Sequence, residues 1–200
     1  MFYITNIANY LESLDNTVTI IDISHMDIKG KLPSLSRFKQ LKVFKCNNNQ
    51  LTELPECFEK LEYLEEIHCS NNQLKELPKF NKKMYLIDCR NNEIKKINSF
   101  NDNLHILFCC FNKIDELPQF NNKLKILECS HNLLKKIPVF NDDLAYFNCS
   151  YNLLKKLPIL NNNLIELNCS HNDIDVLPSF NSKLHKINDY IIQTSCPYIC

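Results

Sequence analysis

The chain has one glycine, Gly30, and no tryptophan in 200 residues. A GxGxxG dinucleotide loop, a Walker phosphate cradle and a GxSxG nucleophile elbow each need several positions without a Cβ, so those nucleotide-binding and hydrolase sites are excluded. Net charge is also missing, because Lys plus Arg and Asp plus Glu are both 23. No overall field exists to collect phosphates or an anionic membrane, which disfavours bulk nucleic-acid binding. There is no run of 18 apolar residues, and the start MFYITNIANYLESLDN lacks the charged leader and apolar stretch of a secretory signal. The 11 cysteines are an odd number and too sparse for a disulfide scaffold. Reduced thiols in a cytoplasmic protein are the expectation.

What the chain has in excess is asparagine, 28 residues of it, and the reason is a repeat. Aligned on Leu-x-x-Leu-x-Cys, units start at Leu41, Leu64, Met84, Leu104, Leu124, Leu144 and Leu164, with a looser first unit at Val18 and a closing one at Leu184. The spacing is 23 residues twice and 20 thereafter. The short unit reads L-x-x-L-x-C-x-x-N-x-L-x-x-L-P-x-F-N-x-x, as in Leu124, Leu127, Cys129, Asn132, Leu134, Ile137, Pro138, Phe140 and Asn141. Positions four and six share one side of an extended segment, so each unit supplies a short strand with half a core. Only stacking of successive units buries it, and the ends need caps.

The Asn column at position nine (Asn49, Asn72, Asn92, Asn112, Asn132, Asn152, Asn172) falls where the chain turns inward. A side-chain amide there satisfies backbone groups of its own and the neighbouring turn. Seven prolines follow the last Leu or Ile of a unit, so the return segment is expected to be extended rather than helical; the Met84 unit departs, with Asn98 there. The Phe that follows (Phe80, Phe100, Phe120, Phe140, Phe180, with Leu160 once) is expected to form a second apolar spine.

This pattern resembles the leucine-rich repeat family over residues 18–191. The 20-residue LP unit is similar to the short class of bacterial effector proteins, and the Cys-for-Leu, Asn/Lys/Ile-rich dialect resembles leucine-rich-repeat proteins of amoeba-infecting giant viruses. The resemblance implies an α/β-type solenoid, a right-handed superhelix with a parallel β-sheet on its concave face and mostly extended convex segments, used to bind other macromolecules. The expected division is an N-terminal cap over 1–17, a solenoid of about eight full units plus a closing strand over 18–191, and a tail over 192–200. In the cap, Ile4, Ile7, Ala8, Leu11 and Leu14 make a helical stripe. The tail cysteines Cys196 and Cys200 fit neither a lipidation signal nor a zinc site.

Functional side chains are expected at the outward positions two, three, five, seven and eight, where all six histidines fall. Leu86, Ile106, Phe108, Phe111, Ile126, Tyr146 and Tyr151 cluster across adjacent strands, and position eight reads Phe111, His131, Tyr151, His171. Aromatic residues flanked by Asp88, Arg90 and Glu128 have the composition of a hot spot with a polar rim. The alternative is that Ile106 and Ile126 are half-covered strand residues and nothing binds, against which stand Phe108 and Phe111, expected to be exposed together.

The position-six cysteines read as an inert core ladder, since equally spaced thiols do not converge on one metal centre. Cys110, at outward position seven one strand from His131, has a nucleophile and base as its sharper reading. The shared face of the histidines suggests a pH-responsive surface. Lys95/Lys96, Lys135/Lys136 and Lys155/Lys156 interleave with Asp115/Glu116 and Asp175 and read as a mixed solvated edge; salt-dependent nucleic-acid binding is the alternative. No cofactor, metal, catalytic residue, membrane, nucleic acid or small-molecule substrate is expected. The reading is a non-enzymatic module for a protein partner; the alternative is the recognition part of an effector or ubiquitin-ligase-type assembly with a catalytic partner in trans.

Overall fold

The computed structural model describes residues 7–99 and 101–188 and the backbone of Tyr190 and Ile191. The first two units each carry two strands, β1 (Ile20–Asp22) with β2 (Lys29–Lys31), and β3 (Val43–Lys45) with β4 (Gln50–Glu53). Each later unit carries one: β5 (Glu66–His68), β6 (Leu86–Asp88), β7 (Ile106–Phe108), β8 (Ile126–Glu128), β9 (Tyr146–Asn148), β10 (Glu166–Asn168) and β11 (Lys186–Ile187). These lie side by side, all parallel, in a single sheet whose last member, β12 (Tyr190–Ile191), turns back antiparallel on β11. The fold is a parallel-strand solenoid of about eight turns, as the repeat predicts. A small second sheet pairs β2 with β4, and the one glycine lies in it at a φ of +74°, in the left-handed region.

Strands β3, β5, β7, β8 and β10 each bury the central residue and leave its neighbours partly exposed. Position four (Phe44, Ile67, Leu107, Leu127) and position six (Cys46, Cys69, Cys109, Cys129) therefore stack as two buried columns. The Phe spine stacks beneath the return segments, with Phe58 6.0 Å from Phe80 and Phe120 6.2 Å from Phe140. It frays at Phe180, which is exposed, and Phe100 lies outside the described residues. Helix α1 (Ile7–Ser13) covers the first turn through Leu11, with Ile7, Tyr10 and Leu14 packed on the core. Arg37 holds its last turn by donating to the Leu11 and Glu12 carbonyls at 3.0 and 3.1 Å. Ile4 of the expected stripe and the expected tail over 192–200, with Cys196 and Cys200, lie outside the described residues.

The asparagine column joins the turns. Asn132 donates its Nδ2 hydrogens to the carbonyls of Cys109 (3.0 Å), Cys129 (3.1 Å) and Ser130 (3.2 Å), and its Oδ1 accepts the Ile114 N–H at 2.9 Å. Asn72, Asn92, Asn112, Asn152 and Asn172 repeat this set. A second column after the spine ties the opposite side, with Asn121, Asn141, Asn161 and Asn181 each donating to the carbonyl of the leucine that opens its own unit, and Asn121, Asn161 and Asn181 also to the matching asparagine carbonyl of the unit before. One residue type thus satisfies buried backbone groups that neither strand nor helix reaches.

Removing the Asn132 amide leaves the buried Ile114 N–H without its acceptor, while the Cys109 and Cys129 carbonyls each keep one donor, from Asn112 and Asn152. Asn132→Ala is expected to lower stability by about 1–3 kcal/mol, the cost of one unsatisfied buried group. Urea unfolding of wild type and variant measures the difference.

Candidate functional site

Strands β6 to β10 present three rows of side chains across their outer face. The position-three row runs Leu86, Ile106, Ile126, Tyr146, each in register with the next. Its three aliphatic members are half-buried, and Tyr146 is exposed. Here the half-covered reading of Ile106 and Ile126 describes their burial. The position-five row runs Asp88, Phe108, Glu128, Asn148. Asp88 is buried, and Arg90 grips it with two hydrogen bonds, Nε to Oδ1 at 2.9 Å and Nη2 to Oδ2 at 2.7 Å. The same guanidinium lies 5.1 Å from the Phe108 ring centroid. Phe108 is half-buried and capped by a cation, which corrects the expectation that it and Phe111 stand exposed together.

The third row has a feature the sequence pattern does not reveal. Position eight has positive φ in unit after unit: 56° at Asn48, 55° at Asn71, 52° at Asn91, 55° at Phe111, 52° at His131, 53° at Tyr151 and 52° at His171. Asparagine and histidine tolerate that conformation, whereas Phe or Tyr there is strained by about 1 kcal/mol or more. The C-terminal half nevertheless replaces Asn by rings in four consecutive units. The rings stack into a continuous ladder, Phe111 on His131 at 4.1 Å, His131 on Tyr151 at 4.1 Å, and Tyr151 on His171 at 4.0 Å, with interplanar angles of 11–14°. Stacking of that kind returns about 0.5–1.5 kcal/mol per pair, close to the strain it accompanies. Phe111 and Tyr151 remain 50% and 45% exposed. Of the residues expected to form the site, Asp88 is buried and the others lie on adjoining strands and turns, with Tyr146 and Glu128 lining a shallow depression of about 230 Å³.

Cys110 is a correction. Position seven is largely covered, and Cys110 is only 5% exposed, its Sγ 4.0 Å from a Glu128 oxygen. Burial pushes its thiol pKa up, the opposite of what a thiolate nucleophile needs. The histidines do not converge. His25 meets Asn48, His68 meets Glu66, His105 stacks on Tyr85, and Tyr151 separates His131 from His171. Among the described residues no group of three or more His, Cys, Asp or Glu could hold a metal ion.

The family description "Leucine Rich repeats (2 copies)" matches residues 39–83. No curated protein matches the sequence. Among solved structures the chain is similar to YopM, a leucine-rich effector protein from Yersinia pestis, with a TM-score of 0.80 and 24% identity over 87% of this chain and 49% of that one. It is similar to the leucine-rich-repeat domain of a Shigella effector, with a TM-score of 0.68 and 26% identity over 80% of this chain and 72% of that one. It also resembles a chain of the Toll–Spätzle complex of Drosophila, with a TM-score of 0.68 and 18% identity over 84% of this chain and 26% of that one. The chain spans about half the length of the YopM chain.

Burial raises the thiol pKa of Cys69, Cys109, Cys129 and Cys149 well above the ordinary range, and that of Cys169, nearer the open end, to about 11. A raised folded value contributes stability that is complete below the unfolded thiol pKa of about 8.5 and is lost as pH climbs towards the folded one. Stability is therefore expected to fall steadily above about pH 9. Urea unfolding between pH 9 and 10.5 should show a slope about 1.4 kcal/mol per pH unit shallower in Cys109→Ala, the share of one thiol. In fold the chain is a leucine-rich-repeat solenoid, and residues 39–83 carry the signature of that family.

Proposed function

We propose that the protein is a non-enzymatic interaction module that holds a protein partner against the concave face of its sheet. The observation that supports this most is the aromatic ladder, four stacked rings at left-handed backbone positions where the three units before them use asparagine, with Phe111 and Tyr151 the strained members. Strained, exposed side chains on a rigid scaffold are the usual expense of a binding surface. Leu86, Ile106, Ile126 and Tyr146 add apolar area, and Asp88, Arg90, Phe108 and Glu128 form a rim fixed by the Asp88–Arg90 pair. Leucine-rich-repeat proteins typically bind protein partners, and the balanced charge argues for protein over nucleic acid or membrane. The free thiols suit a reducing cytoplasm, that of a host cell under the giant-virus resemblance. A second reading, favoured by the likeness to the Shigella effector domain, is recognition of a substrate for a catalytic partner acting in trans.

Phe111→Asn with Tyr151→Asn removes rings from the ladder while keeping a residue suited to positive φ. Capture of cytosolic partners is expected to be lost or to fall at least tenfold while the unfolding free energy in urea stays within about 1 kcal/mol of wild type. Capture that survives the pair contradicts the proposal.

A further inference from the structure

A second surface lies on the flank of the solenoid, beyond the turn that carries the ladder. In the units at Leu124 and Leu144, position ten is leucine, and Leu133 and Leu153 are 47% and 49% exposed although each neighbours a buried asparagine and a buried leucine. The corresponding residues of other units are polar: Gln73, Glu93, Lys113 and Asp173. Position twelve of the same two units is Lys135 and Lys155, and position thirteen Lys136 and Lys156. Lys136 is paired with Glu116 at 2.7 Å, whereas Lys135, Lys155 and Lys156 have no carboxylate within 4.0 Å among the described residues. Leu153, these three lysines, Asp173 and the ring of His171 line one depression of about 590 Å³.

We infer that this depression is a docking site for a short acidic peptide segment of a partner protein, carrying an apolar side chain between its carboxylates. Leu153 and the lysine stems supply an apolar floor, and three unpaired ammonium groups supply the complementary charge at its rim. The positive charge is confined to two units, because Asp115 and Glu116 precede it and Asp173 and Asp175 follow it. Two neighbouring units span about 10 Å, too short a track for the phosphates of a nucleic-acid strand. The floor is also aliphatic, and of the nearby rings Tyr151 is covered on both faces while His171, last of the ladder, offers a single face, so successive bases have no stacking platform. This site shares His171 with the end of the ladder, whereas Leu153 and the three lysines lie outside it.

The test is fluorescence anisotropy at 150 mM salt with three labelled probes of equal length: an Asp/Glu peptide with two central leucines, the same peptide with serine for leucine, and oligothymidylate. The folded state of each variant is checked by its melt. Saturable binding of the leucine peptide is expected, weakened at least tenfold by Lys135→Glu with Lys155→Glu and by Leu153→Asp, with the serine peptide and the oligonucleotide binding at least tenfold more weakly. Lys135→Gln with Lys155→Gln serves where charge reversal perturbs folding, and is expected to weaken binding in the same direction. No saturable binding, equal affinity for the serine peptide or the oligonucleotide, or insensitivity to Leu153→Asp overturns the inference.

Discussion

The fold depends on the side-chain amide of one asparagine per unit. At the inward turn after each strand, the carbonyls of positions six and seven lie beyond the strand. The position-seven carbonyl accepts the position-eight N–H of the preceding unit, as Ser130 does from Phe111, whereas among the described residues no backbone N–H reaches the carbonyl of position six. The Asn amide supplies donors to both and to the preceding unit's position-six carbonyl, while its oxygen takes an N–H from that unit. The residue before it adopts positive φ in the same turn, with a spread of only a few degrees along the chain. The structural amide at position nine and the outward side chain at position eight are thus two sides of one bend.

That coupling explains where function can be added without disturbing the scaffold. Core positions are fixed by packing and turn positions by backbone satisfaction, while position eight is fixed in conformation but open in identity. The chain uses asparagine there at Asn48, Asn71 and Asn91 and rings from Phe111 to His171. Because each ring is set on an identical bend in adjoining parallel turns, the four lie nearly parallel at van der Waals distance. The stacking energy and the left-handed strain are of similar size, so stability alone supplies little reason for the exchange.

Much of this was legible in the sequence, because a repeat makes each position visible many times. The period gives the stacked parallel strands, the Leu and Cys columns give the core, and the Asn column gives the turn. Less legible was anything set by the pairing of particular neighbours. Asp88 looks like an exposed acid until Arg90, two residues on, folds over it and reaches the Phe108 ring. Cys110 occupies an outward position, yet Glu128 and the adjacent turns cover it. Phe111 and Tyr151 concealed their left-handed backbone because rings, unlike Asn or Gly, do not advertise it. Leu133 and Leu153 occupy a position to which the repeat assigns no residue type, and the structure turns them outward.

The central claim is that the ladder serves recognition rather than the fold. It is tested most directly by the unfolding free energy of the variant with asparagine at all four of Phe111, His131, Tyr151 and His171, compared with wild type in urea. Relief of strain offsets lost stacking, so a value within about 1 kcal/mol of wild type, or above it, is predicted. A loss of more than about 3 kcal/mol would make the ladder part of the scaffold and contradict the account.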